Sequence, residues 1–568
     1  MKAIALILID PSQGRLGQPA QLGEALAGRS VLQHTVTRAA RIKGIDEIIL
    51  AVRDADTDEP ALPCEVPPGV KHRTLAWSLT PEEQAHADAI AAARQWSRTC
   101  WRGGVAGMST YDELLPAGPL GRIMAQRDAD VAVVVRGDWC CFDPELATDQ
   151  LKVHRSAPES LRLVFTQAPP GLSALVVDRV VVDDLAQHRS TIAQLLCYNP
   201  RKPALDPISR DVCVAVPAEV RDRHRRFIYD TPRTQSHLRA IAQRLGSAFE
   251  DADASTLTDA SLRIDREDPA AQYDHLPPHL TVELTPHRPA TGRITPQHHL
   301  NLQRKPMDTP SAIALMQQLG QHTSSAVLLG GLGDALMHDG WLDIVHAARD
   351  AGVHGIGLET DLLCDGDTLA KLQSAPVDVL SVRINADTAA VYEKLMGRDG
   401  FKTVMDNLQA LLTGGGRFSR GPEQRAWIVP RLVKVADNLK DMETFFERWT
   451  QIAGWAVIDR FETGQRLIAD QGPVPMQPPR PPGYRPPAER HKQRLTVLSD
   501  GRVTLCAQDW LGRAALGNIE ATPLHEIWHN AAHTAAGVLD QAPEDRPICP
   551  RCQDWLAVQL QTAALASA

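Results

Sequence analysis

Three cysteines in the last part of the sequence have the spacing of a metal site. Cys506, Cys549 and Cys552 form the pattern C-x42-C-x2-C, in which the close pair places two thiolates within reach of one metal centre. Zinc sites and iron–sulfur clusters both bind such thiolates and usually take four ligands. The fourth ligand would then be Asp509, His525 or His529. Alternatively, the metal keeps an open coordination position. Three structural or redox thiols are the alternative to a metal site.

Length and composition indicate a globular protein with several domains. A chain of 568 residues exceeds a single core and predicts roughly two to four domains. The net charge of −9 argues against a nucleic-acid partner, and the absence of a run of about 18 apolar residues argues against a membrane span. Ten cysteines are too few for a disulfide scaffold of this length, which fits a reducing cytoplasm.

Residues 1–250 alternate apolar strands with amphipathic helices, which predicts an open α/β domain. The predicted strands are Ile4–Ile9, Glu47–Val52 and Val131–Val135. The predicted helices are Ser30–Lys43 and Thr231–Leu245, and the second opens with a threonine cap followed by proline. Residues 251–275 are acidic and polar, and we predict a linker there.

Residues 276–470 form a second alternating block, which predicts a complete or partial β/α barrel. Its working face would lie at the carboxyl ends of the strands. The predicted strands are Leu280–Leu284, Ser325–Leu329, Gly355–Glu359, Val377–Ile384 and Ala426–Val433. The predicted helices are Ser311–Leu319, Trp341–Ala351, Asp367–Gln373, Thr388–Leu395, Gly400–Leu412 and Asp441–Ile452.

A proline-rich spacer separates this block from a small third module. Eight prolines lie between residues 472 and 487, and such a segment continues neither a sheet nor a helix, so we assign residues 471–490 to a linker. In the module over residues 491–568, Arg494–Val497 and Val503–Leu505 flank the turn Ser499–Gly501 and predict a β-hairpin.

The third module resembles a SPASM domain, the auxiliary-cluster module of radical SAM proteins, over roughly residues 490–556. The points of match are Asp500-Gly501, Cys506, Asp509, Gly517-Asn518-Ile519, Glu526-Ile527-Trp528 and the Cys549/Cys552 pair. The resemblance implies an iron–sulfur cluster of the 4Fe-4S type on the three cysteines. The family pattern contains more cysteines, so this module is a reduced version of it.

The segment His525–His529 also reads H-E-x-x-H, a pattern that places two zinc-binding histidines on one face of a helix. A zinc protease would further need a third ligand, a substrate cleft and a positioned water. The SPASM resemblance explains Glu526, Ile527 and Trp528 without any protease. We therefore favour an ordinary helix over a metalloprotease site.

The middle block resembles a radical SAM barrel, starting from Glu283-Leu284-Thr285 at the end of its first strand. In that family the strand is followed by C-x3-C-x2-C, whose thiolates bind the cluster that holds S-adenosylmethionine. In this chain no cysteine occurs from residue 214 to 363, and the three positions fall near Arg288, Gly292 and Thr295, none of which is a soft ligand for iron. Histidines do not replace the cluster ligands, because histidine-containing centres still need two cysteines. The histidines of this loop are His287, His298 and His299.

A further resemblance concerns the S-adenosylmethionine site of the barrel. Gly331–Leu336 resembles the family segment GxGEPL, with Asp334 where glutamate is usual, and Leu380–Ala386 resembles a later strand written vSiDa. The resemblance implies that Gly331, Gly333 and Asp334 lie where the methionine amine of the cofactor binds. Because the cluster cysteines are missing, we expect the barrel to be kept for binding or assembly.

The first domain resembles nucleotidyltransferases of the glycosyltransferase-A type, especially the spore-coat-polysaccharide cytidylyltransferase-like group. The turn Asp10–Leu16 follows the first strand, and its amides would cradle a nucleotide phosphate. The family lysine is lost, since its position falls near Pro19. Asp138 ends a strand where the family places a magnesium-binding aspartate, although we favour a turn-forming aspartate. The resemblance implies a ligand related to nucleotide sugars or polysaccharides.

Together these features predict a degenerate radical SAM/SPASM protein, a pseudoenzyme with one auxiliary cluster that acts in a binding or accessory role. Two alternatives remain open. One is an active enzyme that uses S-adenosylmethionine unconventionally, or that transfers nucleotidyl groups without the usual lysine. The other is a zinc protein whose last module is structural or proteolytic. We expect a cytoplasmic protein without a membrane or nucleic-acid partner; its protein partners stay unassigned.

Overall fold

The computed structural model describes most of the chain. The described residues are 1–14, 18–54, 62–88, 116–166, 168–188, 212–221, 223, 225–268, 271, 274–322, 325–353, 355–420, 424–453, 456–464, 467–472 and 494–531. They fall into two compact units, of which the first contains residues 1–87 and 116–268 and the second contains residues 271–531. None of the described helices combines the length and apolar character that crossing a membrane requires.

The first unit contains a seven-stranded sheet within the described residues. Its strand order is β5-β4-β1-β6-β8-β7-β9, in which β5, β4, β1 and β6 are mutually parallel and β8 runs antiparallel to β6 and β7. The strands of this unit, including a separate two-stranded ribbon of β2 and β3, are β1 (Ala3–Ile9), β2 (Ala25–Leu26), β3 (Arg29–Ser30), β4 (Glu47–Arg53), β5 (His72–Trp77), β6 (Val131–Arg136), β7 (Leu163–Thr166), β8 (Leu175–Asp178) and β9 (Cys213–Val214). The three predicted strands are thus confirmed as β1, β4 and β6, which are buried on both faces as central parallel strands require.

Helices cover the sheet of the first unit. They are α1 (Val31–Ala39), α2 (Ala117–Gln126), α3 (Pro144–Ser156), α4 (Arg179–His188), α5 (Ala218–Arg221), α6 (Pro232–Leu245) and α7 (Ala254–Glu267). The predicted start of α6 is confirmed, because Thr231 caps the helix through the backbone N–H of Thr234 and proline follows it. The predicted helix from Ser30 is also confirmed, although it ends at Ala39 rather than Lys43.

The linker predicted over residues 251–275 is wrong for most of that range, because α7 occupies Ala254–Glu267. Asp253 caps the helix by accepting the backbone N–H of Thr256 at 2.7 Å. Leu257 and Ala260 recur at helical spacing, and both are buried against residues of α6. Of the acidic residues of this helix, Asp259 and Glu267 are exposed, whereas Asp265 is buried and pairs with Arg223 and Arg225.

The second unit is built on a nine-stranded sheet within the described residues. Its order is β15-β14-β13-β12-β11-β10-β16-β17-β18, with β15 to β16 all parallel. The strands are β10 (His279–Val282), β11 (Ala326–Leu329), β12 (Gly355–Thr360), β13 (Val379–Arg383), β14 (Trp427–Lys434), β15 (Val457–Arg460), β16 (Arg494–Val497), β17 (Arg502–Thr504) and β18 (Ala515–Asn518). Each strand from β10 to β14 pairs with the next in sequence, so the predicted β/α repeat is confirmed in its partial form.

Helices connect these strands in the predicted order. They are α8 (Pro296–His299), α9 (Thr309–Gly320), α10 (Trp341–Asp350), α11 (Gly366–Ser374), α12 (Ala389–Met396), α13 (Phe401–Thr413) and α14 (Leu439–Ala453). All six predicted helices of this block are therefore confirmed to within a few residues, which is the usual uncertainty of helix ends.

The described part of the predicted third module shares the sheet and core of the barrel. Strand β16 pairs in parallel with β10, and the predicted hairpin is confirmed as β16 and β17. Trp510 and Trp528 lie in the same apolar cluster as Leu280 of β10. Within the described residues up to 531, this module therefore shares the core of the barrel and has no separate core of its own. Most of the proline-rich segment, residues 473–493, lies outside the described residues.

Candidate functional site

Charged side chains collect at the carboxyl ends of the strands of the second unit. Glu283 directly follows β10, and Glu359 is the second-to-last residue of β12. Arg383 is the last residue of β13, and Arg431 lies in β14. This edge is where open parallel sheets and β/α barrels bind their ligands. Because buried charges require partners, their pairing decides what this edge can bind.

Arg288 stands at the first predicted cysteine position and forms a buried ion pair with Asp361. The Arg288 Nε donates to Asp361 Oδ2 at 3.1 Å, and a second guanidinium nitrogen donates to Oδ1. The side chains are only 3% and 0% exposed. Burial lowers the pKa of Arg288, but the Asp361 carboxylate outweighs burial and leaves the pKa raised. A permanent cation therefore stands at the position where the resemblance predicts a thiolate.

The other two cysteine positions serve packing. A Cβ on Gly292 would lie 2.1 Å from the carbonyl oxygen of Leu395 and 2.5 Å from the backbone nitrogen of Gly397, so no side chain fits there. Thr295 is buried and its hydroxyl donates to the carbonyl of Gly292 at 2.7 Å. The loop closes on itself and on the end of α12.

Gly331, Gly333 and Asp334, the predicted S-adenosylmethionine site, lie together in the loop after β11. A Cβ on Gly333 would lie 1.8 Å from the carbonyl oxygen of Thr285, so this glycine permits close backbone packing. Asp334 Oδ2 accepts from the hydroxyl of Thr360 at 2.9 Å and from the backbone N–H of Asp361 at 2.8 Å. Burial and the nearby Asp361 carboxylate raise the pKa of Asp334 to about 6. Its acceptor positions are thus used within the protein.

A charge network that the sequence did not reveal surrounds Glu359. Burial raises the pKa of Glu359, but Arg383 and Arg431 outweigh burial and lower the pKa to about 2. Arg431 also pairs with Asp459 of β15 at 2.5 Å. On the other side, Arg304 donates to both carboxylate oxygens of Glu283 at about 3 Å. These pairs join residues far apart in sequence, and no motif predicts them.

Two histidines of the loop after β10 lie within hydrogen-bond distance of carbonyl oxygens of the same loop. His299 Nε2 lies 2.7 Å from the carbonyl oxygen of Arg293, and His298 Nδ1 lies 3.3 Å from that of Thr291. The two rings contact each other edge to face at 4.9 Å. Within the part of the chain that the structure describes, no three histidine, cysteine or carboxylate side chains group closely enough to hold a metal ion.

Of the predicted metal ligands of the last module, the structure describes Cys506 and Asp509. Cys506 is buried beside Ala514, and its carbonyl accepts the backbone N–H of Asp509 at 2.9 Å. The Asp509 carboxylate accepts the backbone N–H groups of Arg513 at 2.9 Å and Ala514 at 2.8 Å. Asp509 therefore shapes the turn that follows Cys506. Cys549 and Cys552 lie outside the described residues.

The helix of residues 524–531 carries the H-E-x-x-H pattern with its histidines in solvent. The His525 and His529 side chains are 52% and 62% exposed. Ile527 and Trp528 are buried, and the Trp528 indole donates to the carbonyl of His275 at 2.8 Å. The apolar residues of the pattern thus anchor the helix, which supports the ordinary helix preferred from the sequence.

We expect the double substitution His525→Ala/His529→Ala to change the free energy of unfolding by less than about 0.5 kcal/mol, because both side chains are exposed. Trp528→Ala should cost about 3–5 kcal/mol in the same denaturant titration, since a large buried side chain is removed. Bound metal per chain should be unchanged in the histidine variant. A loss of metal there would make these histidines ligands.

In the first unit, Asp10 closes the predicted phosphate-binding turn. Its Oδ1 accepts the backbone N–H groups of Ser12 at 3.0 Å and Gln13 at 3.1 Å, and Oδ2 accepts from Arg53 at 2.8 Å. Burial raises the pKa of Asp10, but these hydrogen bonds and the Arg53 charge outweigh burial and lower it. Residues 15–17 of the turn lie outside the described residues.

Two carboxylates flank this turn, and each has a guanidinium partner. A Cβ on Gly14 would lie 3.8 Å from Asp138 Oδ2 and 3.5 Å from the Cβ of Asp230. Arg136 Nε lies 3.5 Å from Asp138, and Arg226 Nε donates to Asp230 at 2.9 Å. Asp230 was not predicted, because no local motif surrounds it. The pairing with arginine does not fit two open magnesium ligands.

Solved structures similar to the chain share little sequence with it. Streptococcus suis SuiB bound to S-adenosylmethionine is 10% identical, with 54% of this chain and 79% of that chain covered and a TM-score of 0.37. Native anSMEcpe with bound AdoMet is 12% identical, with 51% and 96% covered and a TM-score of 0.36. A cytidylyltransferase from Leptospira borgpetersenii is 11% identical, with 48% and 96% covered and a TM-score of 0.30. At these TM-scores no conclusion follows from the likenesses.

Sequence comparisons give one relative and one domain. An uncharacterized protein of Treponema pallidum (strain Nichols) is 28% identical over 126 residues, which is 22% of this chain, and the match spans only 33% of that relative. Residues 489–553 match the family model of SPASM, an iron–sulfur cluster-binding domain. The matched range contains Cys506, Cys549 and Cys552. This segment therefore carries a SPASM-type iron–sulfur cluster-binding domain.

Proposed function

We propose that this chain is an iron–sulfur protein of the radical SAM/SPASM type that holds one auxiliary 4Fe-4S cluster on Cys506, Cys549 and Cys552. The observation that carries the proposal is the SPASM match over residues 489–553, which includes all three cysteines. Iron–sulfur clusters are held by cysteine thiolates, and these three thiols are the cysteines that the sequence offers after Cys364. A bound cluster would supply electron transfer at this site.

The described surroundings of Cys506 suit a thiolate ligand. Its side chain is 8% exposed, and the turn that follows is fixed by the carboxylate of Asp509. A fixed ligand in a shielded position lowers the cost of ordering the site when metal binds. Asp509 orients the turn and leaves metal binding to the three cysteines.

For the barrel, we propose a binding or accessory role without radical chemistry. The family's cluster positions hold Arg288, Gly292 and Thr295, and none of these side chains binds iron as a soft ligand. The ion pair of Arg288 with Asp361 and the close packing of Gly292 support this proposal.

For the first unit, we propose a ligand related to nucleotide sugars or polysaccharides, bound without nucleotidyl transfer. The ligand class is that of the nucleotidyltransferases which the turn Asp10–Leu16 and the position of Asp138 resemble in sequence. The absence of transfer is supported by the charge pairs at Asp138 and Asp230, because carboxylates already neutralised by guanidinium groups bind magnesium poorly. The corresponding bound ligands would be the surface polysaccharides of a cell envelope or the nucleotide sugars from which they are built.

Metal analysis tests the cluster. We expect protein purified without oxygen to contain iron and labile sulfide and to absorb near about 400 nm. Cys549→Ala/Cys552→Ala should lose at least about nine-tenths of both, because a cluster cannot persist on one thiolate. Cys213→Ala is the matched control, since that thiol lies in β9 of the first unit and burial raises its pKa to about 12.

Two results would contradict the proposal. One equivalent of zinc in colourless protein would assign the three cysteines to a zinc site. Catalytic formation of 5′-deoxyadenosine from S-adenosylmethionine after anaerobic reduction would show that the barrel performs radical chemistry after all.

A further inference from the structure

We infer that the Gly331 carbonyl and the Glu359 carboxylate form a cation-binding site at the carboxyl edge of the second unit, and that the guanidinium group of Arg383 occupies it. The inference deepens the accessory function proposed for the barrel and rests on that proposal. Arg383 thus occupies the strand edge at which the resemblance predicts S-adenosylmethionine.

The contacts of Arg383 define the site. Its Nη2 donates to the carbonyl oxygen of Gly331 at 2.6 Å and lies 2.5 Å from Glu359 Oε2. The same Glu359 oxygen accepts the backbone N–H of Gly331 at 3.3 Å. A carbonyl from the loop after β11 and a carboxylate from β12 thus converge on one planar cation supplied by β13. Convergent oxygen acceptors of this kind select guanidinium or ammonium groups.

Shielding and neighbouring charges keep the site filled. The side chains of Glu359 and Arg383 are only 4% and 17% exposed, so their attraction is weakly screened. Arg431 binds the other oxygen of Glu359 and continues to Asp459. The carboxylates of Glu359 and Asp459 are therefore already paired with arginines. Asp334 is held instead by the Thr360 hydroxyl and by backbone N–H groups.

A cationic ligand would have to displace these arginines. S-adenosylmethionine carries an ammonium and a sulfonium charge, and the polar groups that would receive a cation here are bound to Arg383. An intramolecular cation has a high effective concentration, which a free ligand must overcome. The residues present therefore do not fit S-adenosylmethionine, and the site selects the protein's own side chain.

The site becomes testable when its occupant is shortened. In Arg383→Ala, the Gly331 carbonyl and Glu359 remain, with space of guanidinium size between them. We expect the melting temperature to fall by about 5 °C or more. Methylguanidinium at about 10 mM should restore at least half of the loss by binding the folded state. The same salt should not raise the melting temperature of the unchanged protein.

Arg448→Ala is the matched control, because Arg448 also pairs with an aspartate, Asp387, but its side chain is 45% exposed. That variant should gain nothing from methylguanidinium, since no enclosed site is opened. Arg383→Lys should have an intermediate melting temperature, because an ammonium group reaches fewer acceptors than a guanidinium group. If Arg383→Ala does not fold alone, refolding yield with and without methylguanidinium gives the same comparison.

Several outcomes would overturn the inference. They are an unchanged melting temperature in Arg383→Ala, equal rescue in Arg448→Ala, and stabilisation of the unchanged protein by S-adenosylmethionine. The cluster cysteines are intact in all these variants. Iron and sulfide content therefore reports separately on the proposed cluster, and failure of one proposal is distinguishable from failure of the other.

Discussion

Gly292→Ala is expected to destabilise the second unit by about 3 kcal/mol or more, which is the upper range for overpacking a closed core. The added Cβ would lie 2.1 Å from the Leu395 carbonyl oxygen and 2.3 Å from the carbonyl carbon of Met396. These are backbone atoms at the end of α12, so no side-chain rotation relieves the clash. Urea denaturation followed by tryptophan fluorescence measures the effect.

Gly366→Ala is the control for this substitution. Gly366 begins α11, and a Cβ there would meet no heavy atom within 4 Å. We expect a change within about 0.5 kcal/mol, because a helical position with free space accepts alanine. Equal losses in both variants would mean that the loop after β10 packs less closely than the structure shows.

The close contact between Gly292 and Leu395 also bears on the C-x3-C-x2-C motif that the resemblance predicts for this loop. Cysteine at position 292 would bring the same Cβ as alanine and a larger sulfur beyond it, so it would meet the Leu395 carbonyl in the same way. Restoring three cysteines at Arg288, Gly292 and Thr295 therefore requires the backbone of the loop to move away from α12. Backbone packing at position 292, and not only the residue type, therefore excludes a cysteine there.

Local patterns predicted the parallel strands and the helices between them. Strand β12 was predicted as Gly355–Glu359 and observed as Gly355–Thr360, because buried parallel strands show as continuous apolar runs bounded by turns. Thr231 and the proline after it gave the start of α6 for the same local reason. The linker was misassigned because the polar and acidic composition of α7 hides the apolar spacing of Leu257 and Ala260. One of its acidic residues, Asp265, is buried through pairing with the distant Arg223 and Arg225, which local composition does not reveal.

The charge pairs at the candidate sites were beyond prediction, because they join distant parts of the chain. Arg288 and Asp361 are 73 residues apart, and Arg431 and Glu359 are 72 apart. A single sequence shows that charged residues exist but not which ones share a strand edge. Asp230 was missed for the same reason, since it approaches the turn at Gly14 only in the folded unit.

A shared feature of both units follows from these pairs. In the second unit, Arg288 and Arg383 neutralise carboxylates at the strand ends. In the first unit, Arg226 pairs with Asp230, which directly precedes the N-cap of α6. Guanidinium groups remain charged at all accessible pH values and need no cofactor. In each unit these carboxylates are thus paired with arginines of the same unit.

Arg288→Met is expected to lower the free energy of unfolding of the second unit by about 3–5 kcal/mol at pH 8, which is the usual cost of removing one partner of a buried ion pair. The Asp361 side chain is 0% exposed, so the carboxylate would stay buried without its cation. The double variant Arg288→Met/Asp361→Asn carries neither charge and should recover more than half of the loss.

The loss in Arg288→Met should shrink as the pH falls. Burial and Asp361 raise the pKa of Asp334 from 3.8 to about 6, so ionising this carboxyl opposes folding. That cost is absent below pH 3.8, grows between pH 3.8 and 6 and is complete above pH 6. Without the Arg288 cation, the charge of the Asp361 carboxylate is uncompensated, which makes protonation of the neighbouring Asp334 more favourable in the folded state. Urea titrations at pH 8, 6.5 and 5 should therefore show the variant approaching the unchanged protein. A loss that is independent of pH, and equal in the double variant, would mean that Arg288 acts through its packing rather than its charge.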